Sequence, residues 1–131
     1  VESFRHVAEN YDNEGARMLA AALDEATTNY LLNAKTPSRK VNEIDNRGSQ
    51  YYLTRYWAEA LASQTDNPKV AAIFGPVAAA LVDNEEKITA ELLAAQGTAI
   101  DIGGYFFPND ALATAAMRPS PTLNSIIDGM R

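Results

Sequence analysis

Residues 49–63 read SQYYLTRYWAEALAS, and the spacing of their apolar side chains predicts an α-helix. Two adjacent stripes recur at four-residue steps: Tyr52, Tyr56 and Ala60 in one, and Leu53, Trp57 and Leu61 in the other. Side chains four residues apart share one face of a helix, so we expect this helix to pack into a core. Ser49, directly after Gly48, is the predicted N-cap.

The flanking sequence is rich in alanine, the strongest helix former. We predict helices over residues 3–11 and 13–33, the second ending before Thr36-Pro37. Asn67-Pro68 marks the start of a helical run to Gly97, with proline at its first position and Gly97 as a left-handed cap. Gly75-Pro76 is expected to kink or split that run, because proline removes a backbone donor.

Toward the end of the chain, TAIDIGGYFF (residues 98–107) is the single β-like stretch. We predict at most one short extended strand there, then a short helix from Pro108 to Met117. Ser120-Pro121 is an N-cap followed by proline, and it predicts a last helix to about Met130. The sequence thus predicts an all-α fold of five to seven helices, with residues 1–131 forming a single helical unit.

Composition narrows the functions open to the chain. It has 131 residues, no cysteine and one histidine, His6, and its net charge is -6. Disulfides, zinc thiolates and a catalytic thiol are excluded, and the negative charge disfavours nucleic acid or an anionic membrane as a partner. The sequence shows neither a 20-residue apolar run nor a signal-peptide pattern, and we predict a cytoplasmic location.

Few residues suggest catalysis or metal binding. The paired carboxylates of Asp24-Glu25 and Glu85-Glu86 lie on predicted helices, where solvated faces are the simplest interpretation. Glu43 and Asp45 form a third acidic pair, and His6 is interpreted as a surface or partly packed side chain. We therefore assign no catalytic residue and no metal ligand within this chain. The aromatic residues at 51–57 are assigned to packing rather than to stacking on bases.

The polar segment TPSRKVNEIDNRGS (residues 36–49) has no helical period and is predicted to be a loop or a single turn. With the preceding residue it holds four of the eleven basic residues, namely Lys35, Arg39, Lys40 and Arg47. One interpretation is a local anion site, because arginine presents a planar fork of donors to phosphate or carboxylate oxygens. The other is that Arg39 or Arg47 pairs with Glu43 or Asp45 and holds the loop closed.

Four blocks of sequence, in this order and spacing, resemble the C-terminal end of the monomeric type of NADP-dependent isocitrate dehydrogenase. They are SRKVNEIDNRGSQYYLTRYWAEALASQT, NEEKITAELLAAQG, DIGGYFFPND and MRPSPTLN, beginning at residues 38, 84, 101 and 117. The resemblance extends over essentially the whole chain. It implies an enzyme several times longer that oxidatively decarboxylates isocitrate to 2-oxoglutarate, with NADP and with magnesium or manganese.

The resemblance also implies how this part of the enzyme would be used. In the family, one arginine of the proline-serine-arginine-lysine block contacts NADP, and it corresponds to Arg39; no role is carried onto Lys40 or Arg47. The metal, isocitrate and catalytic residues of the family lie upstream. This part would join an N-terminal segment in a larger α/β domain beside the active-site cleft. Alone, the chain is expected to bind no cofactor tightly and to be inactive.

A separately encoded, non-catalytic helical module that binds a partner protein is the alternative hypothesis. It would use apolar stripes that the chain itself does not cover. Under the first hypothesis the same stripes would face the remainder of the dehydrogenase chain.

Overall fold

A computed structural model of the chain describes residues 14–40, 42–97, 103–104 and 109–130. Within these residues the backbone forms six helices and no strand, which confirms the all-α prediction: α1 Glu14–Leu32, α2 Asn46–Ser63, α3 Pro68–Asp83, α4 Glu85–Ala94, α5 Asp110–Met117 and α6 Pro121–Asp128. The helix predicted over residues 3–11 and most of the extended stretch predicted over 98–107 lie outside the described residues.

Helix α2 lies at the centre of the packing, with its most extensive contacts to α1 and α3. The side chains of Tyr51 and Tyr52 are buried in the main core, together with Ala26 of α1 and Leu81 of α3. Helix α4 adds Ile88, which is completely buried. The predicted assignment of the α2 aromatic residues to packing is therefore confirmed.

The start of α2 differs from the prediction. Its N-cap is Asp45, not Ser49, and the Asp45 carboxylate accepts hydrogen bonds from the backbone N–H groups of Arg47 and Gly48. Gly48 lies inside the first turn, where a Cβ atom would come within 2.9 Å of Ile44 Cγ1. Gly48 thus permits Ile44, in the preceding loop, to pack closely against the first turn of α2. The aspartate three residues before Gly48 is as good an N-cap as the predicted serine.

A kink or a split was predicted at Gly75-Pro76, and the helix is not split there. Helix α3 continues through Pro76 to Asp83, and the run divides at Asn84 instead. Proline disfavours a helical conformation of the preceding residue chiefly by clashing with its Cβ atom and N–H group. Gly75 has no Cβ atom, so part of that penalty is absent at this position.

Local capping signals fix the starts of α3, α5 and α6. Asn67, Asn109 and Ser120 each accept a hydrogen bond from the backbone N–H three residues ahead, at Val70, Leu112 and Leu123. Gly97 has a φ of 74° in the turn after α4, as the sequence predicted for a left-handed cap. Among the helices of the described ranges, none is both long and apolar enough to cross a membrane.

Candidate anion-binding loop

The segment between α1 and α2 carries the four basic residues singled out in the sequence. It leaves α1 through Ala34, whose φ of 53° is left-handed, and the Lys35 N–H donates to the Tyr30 carbonyl at 3.1 Å. The Ser49 hydroxyl of α2 donates to the Lys35 carbonyl at 2.6 Å. The entrance of the loop is thus held by both helices.

Hydrogen bonds between its two limbs close the loop. The Ser38 N–H donates to the Ile44 carbonyl at 2.7 Å. The Ser38 hydroxyl donates to the Glu43 carboxylate at 3.2 Å and accepts from the Lys40 N–H at 3.1 Å. Ser38, Arg39 and Lys40 form the outgoing limb, and Asn42, Glu43 and Ile44 form the returning limb.

Gln96, in the turn after α4, bonds to the returning limb. Its side-chain oxygen accepts from the Asn42 N–H at 2.7 Å, and its side-chain nitrogen donates to the Glu43 carbonyl at 2.6 Å. Asn42 has a left-handed φ of 68°, a conformation that asparagine tolerates better than most residues. One amide group therefore satisfies two main-chain groups that lie more than 50 residues away.

Arg47 is engaged inside the protein. Its Nε and Nη2 atoms donate to Asp45 Oδ2 at 3.0 and 2.8 Å, and Nη1 donates to the Ala116 carbonyl at 3.0 Å. Burial alone would raise the pKa of Asp45, but the hydrogen bonds from Arg47 and from the Gly48 N–H outweigh it and lower that pKa. For Arg47, the closed-loop interpretation is correct.

Lys35 is also engaged. Its ammonium group lies 4.2 Å from the centre of the Tyr52 ring, within range of a cation–π interaction. The Tyr52 hydroxyl donates to Glu85 at 2.7 Å, and Arg55 pairs with the same carboxylate at 2.9 Å. The Tyr52 hydrogen bond, followed by the charge of Arg55, lowers the pKa of Glu85. Glu85 thus has a structural role, although its side chain is still 39% exposed. The solvated-face interpretation therefore holds for Glu86, which is exposed, and only in part for Glu85.

Arg39 and Lys40 differ from the other two basic residues. Both are exposed, and their side chains have no hydrogen-bond or ion-pair partner within the described ranges. The structure therefore separates the four cations into an internal pair, Lys35 and Arg47, and an outward pair. Two adjacent cationic side chains on a closed loop can bind a phosphate or a carboxylate group.

The remaining sequence candidates do not add to this site. Asp24 and Glu25 are exposed on α1, as the sequence predicted, whereas His6 lies outside the described residues. Across residues 14–40, 42–97, 103–104 and 109–130, no three of the His, Asp and Glu side chains converge as metal ligands would. Sequence reasoning missed Gln96, since a lone glutamine after a helix carries no local signal of a contact with a distant loop.

Comparison with known proteins gives a consistent result. The profile of the family described as "Monomeric isocitrate dehydrogenase" matches residues 1–128. The chain is 53% identical to isocitrate dehydrogenase [NADP] 2 of Colwellia maris and 51% identical to isocitrate dehydrogenase [NADP] of Corynebacterium glutamicum. These alignments cover 98% and 99% of the chain but only 17% and 18% of the relatives. The chain thus spans less than a fifth of their length.

Proposed function

Because the chain belongs to the monomeric isocitrate dehydrogenase family, we propose that it is the C-terminal portion of an NADP-dependent isocitrate dehydrogenase. The complete enzyme would oxidatively decarboxylate isocitrate to 2-oxoglutarate in the cytoplasm. In this proposal the helices form part of a discontinuous domain that an N-terminal segment completes. The role of this portion is to supply Arg39 to the cofactor side of the active-site cleft.

The availability of the Arg39 guanidinium is the observation that carries the proposal. Arg39 is exposed, and its side chain has no partner in the described part of the chain. The guanidinium of the nearby Arg47, in contrast, already donates hydrogen bonds to Asp45 and to the Ala116 carbonyl. A free guanidinium fits a phosphate group because its donors match two oxygens at once. NADP carries such groups, so the residue that the family resemblance identifies is also the arginine with the suitable environment.

The metal ion of the complete enzyme needs ligands of a different kind from those of the cofactor phosphates. Magnesium and manganese prefer several converging oxygen ligands, and the described residues bring no such group together. We therefore propose that the magnesium or manganese of the complete enzyme is held by residues outside the described ranges. Within the described ranges, the proposed contribution is to cofactor binding, and we predict that the isolated chain is inactive.

Steady-state kinetics of the complete dehydrogenase test the proposal. Arg39→Ala should raise the KM for NADP by about tenfold or more, the loss expected for a charge-assisted contact, with a smaller effect on the KM for isocitrate. Lys69→Ala is a matched control, because it removes an exposed cation from α3. An unchanged KM for NADP in Arg39→Ala would contradict the proposed role.

A partner-binding module without catalytic function is the second candidate. Leu31 and Leu32, at the end of α1, are 61% and 77% exposed, and an apolar pair of this kind favours contact with another protein surface. In the first proposal the remainder of the dehydrogenase chain covers the pair. A start codon at Val1 would favour the separate module, and an open reading frame that continues upstream would favour the dehydrogenase.

A further inference from the structure

We propose that Gln96 is a positioning residue for Arg39. The inference rests on the proposed function of Arg39, and it adds a residue that neither the sequence pattern nor the family comparison assigns. The hydrogen bonds of Gln96 go to the Asn42 N–H and the Glu43 carbonyl, not to Arg39. Gln96 acts through the main chain of the returning limb.

Among the described residues, the outgoing limb has no hydrogen bond of its own to a helix. There, the hydrogen bonds of Ser38 and Lys40 remain inside the loop: Ser38 bonds to Ile44 and Glu43, and the Lys40 N–H donates to the Ser38 hydroxyl. Beyond the entrance of the loop at Lys35, which both helices hold, the position of Arg39 depends on the returning limb. A group that holds the returning limb on the helical core therefore also holds the backbone segment that carries Arg39.

Gln96 is that group. Its amide oxygen and nitrogen bind the Asn42 N–H and the Glu43 carbonyl at 2.7 and 2.6 Å. Gln96 itself follows α4, whose Leu92 is buried in the core. Both partners of Gln96 are main-chain atoms, so substitutions at residues 42 and 43 leave these atoms in place. Only a change at residue 96 removes both bonds without altering the loop sequence.

The two bonds require both an acceptor and a donor on the side chain of residue 96. A glutamine offers one acceptor and two donors, whereas an ionised glutamate only accepts. Gln96→Glu should keep the bond from the Asn42 N–H and lose the one to the Glu43 carbonyl, and Gln96→Ala loses both. The ionised glutamate also sets an acceptor against the Glu43 carbonyl oxygen, so the effect of Gln96→Glu should be at least as large as that of Gln96→Ala.

The chain offers a matched control in Gln64. At the end of α2 its side-chain oxygen accepts from the Asn67 N–H at 2.8 Å, and its nitrogen donates to the Asn67 carbonyl at 2.9 Å. Gln64→Ala thus removes a similar pair of bonds from the turn between α2 and α3, together with a third bond from the same nitrogen to the Leu61 carbonyl at 3.2 Å. Both alanine variants should lower the melting temperature, but only Gln96→Ala should affect cofactor binding.

The test is a double-mutant cycle in the complete dehydrogenase. Gln96→Ala should raise the KM for NADP about three- to tenfold, with kcat and the KM for isocitrate changed by less than about twofold. In the Arg39→Ala background, Gln96→Ala should add nothing, because the side chain that it positions is already absent. Amide hydrogen exchange at Asn42 should be faster in Gln96→Ala than in Gln64→Ala.

The possible outcomes separate the two proposals. If Arg39→Ala raises the KM for NADP and Gln96→Ala does not, the Gln96 inference is overturned and the proposed function stands. An equal effect of Gln96→Ala with and without Arg39 also overturns the inference, since Gln96 would then act by another route. If Arg39→Ala has no effect, the proposed function fails and the inference fails with it.

Discussion

The hydroxyl group of Ser120, which is completely buried, donates to Glu91 Oε2 at 2.5 Å and so joins α4 to the start of α6. The same carboxylate accepts from the Thr122 N–H at 3.2 Å and from the Thr122 hydroxyl at 2.8 Å. Glu91 therefore binds the first turn of α6 from outside that helix. Negative charge at a helix N-terminus is favourable because the backbone N–H groups there point toward it.

Removal of this carboxylate should destabilise the protein. Glu91→Ala leaves the buried Ser120 hydroxyl without its acceptor, and an unsatisfied buried donor costs about 1–3 kcal/mol. Urea unfolding of the chain would measure the change in free energy. Glu86→Ala is the control, because Glu86 is exposed on the same helix. Equal stability of the two variants would contradict the structural role of Glu91.

The stability of the fold should also depend on pH through Glu91. The Ser120 hydroxyl, followed by the Thr122 hydroxyl and N–H, lowers the pKa of Glu91 in the folded chain. A carboxyl group with a lowered pKa stabilises the fold fully above the pKa of an unfolded glutamate, about 4.3, and this contribution is lost as the pH falls through the folded pKa.

Glu91→Gln should therefore show a shallower loss of stability in acid than the unmodified chain. The pKa values of Asp45 and Glu85 are also lowered. Both residues are present in the variant and in the unmodified chain, so the difference between the two stability curves reports on Glu91 alone. Urea unfolding from neutral pH down to below pH 4 would measure it. Parallel stability curves for the two proteins would show that Glu91 contributes nothing to the pH dependence.

Replacement of Pro76 should stabilise the fold, whereas removal of the Glu91 carboxylate should destabilise it. Pro76 lies in the interior of α3, where proline cannot donate a hydrogen bond to the carbonyl of Ala72. Pro76→Ala restores the donor and should raise the free energy of unfolding by about 1–3 kcal/mol. Pro68→Ala is the matched control: Pro68 is at the first helical position, where no donor is needed, and we expect no gain there.

The core should respond strongly to loss of volume. Leu81 is completely buried between the helices, whereas Leu32 is 77% exposed. Leu81→Ala should cost about 2–5 kcal/mol, because it removes buried methyl groups and leaves a cavity. Leu32→Ala changes the same atoms at the surface and should stay within about 0.5 kcal/mol. Thermal or urea unfolding of both variants checks the difference.

Features encoded locally could be predicted from the sequence. Asn67 before Pro68 and Ser120 before Pro121 act within one helical turn, and both caps lie where the sequence placed them. The start of α2 could not be resolved in the same way, because Asp45 and Ser49 are both good caps. In the structure Asp45 caps the helix, and the Ser49 hydroxyl bonds instead to the Lys35 carbonyl, a tertiary contact that the sequence does not reveal.

The basic residues of the loop are visible in the sequence, but the sequence does not show which of them are bonded within the protein. Arg47 is held by the carbonyl of Ala116, 69 residues away, and the returning limb is held by Gln96, 54 residues from Asn42. Contacts at such separations leave no periodic pattern in the sequence. Sequence reasoning could therefore state two alternatives for the basic residues, and only the tertiary structure separates Arg47 from Arg39.

The order of the helices along the chain has a consequence for the kinetics of folding. The most extensive packing joins neighbours in sequence, α1 with α2 and α2 with α3, and proteins dominated by such short-range contacts fold quickly. The bonds from Gln96 to the loop close over a separation of more than 50 residues, with a correspondingly larger entropic cost. The three-helix core should thus form early, and the loop that carries Arg39 should become ordered among the last parts of the molecule.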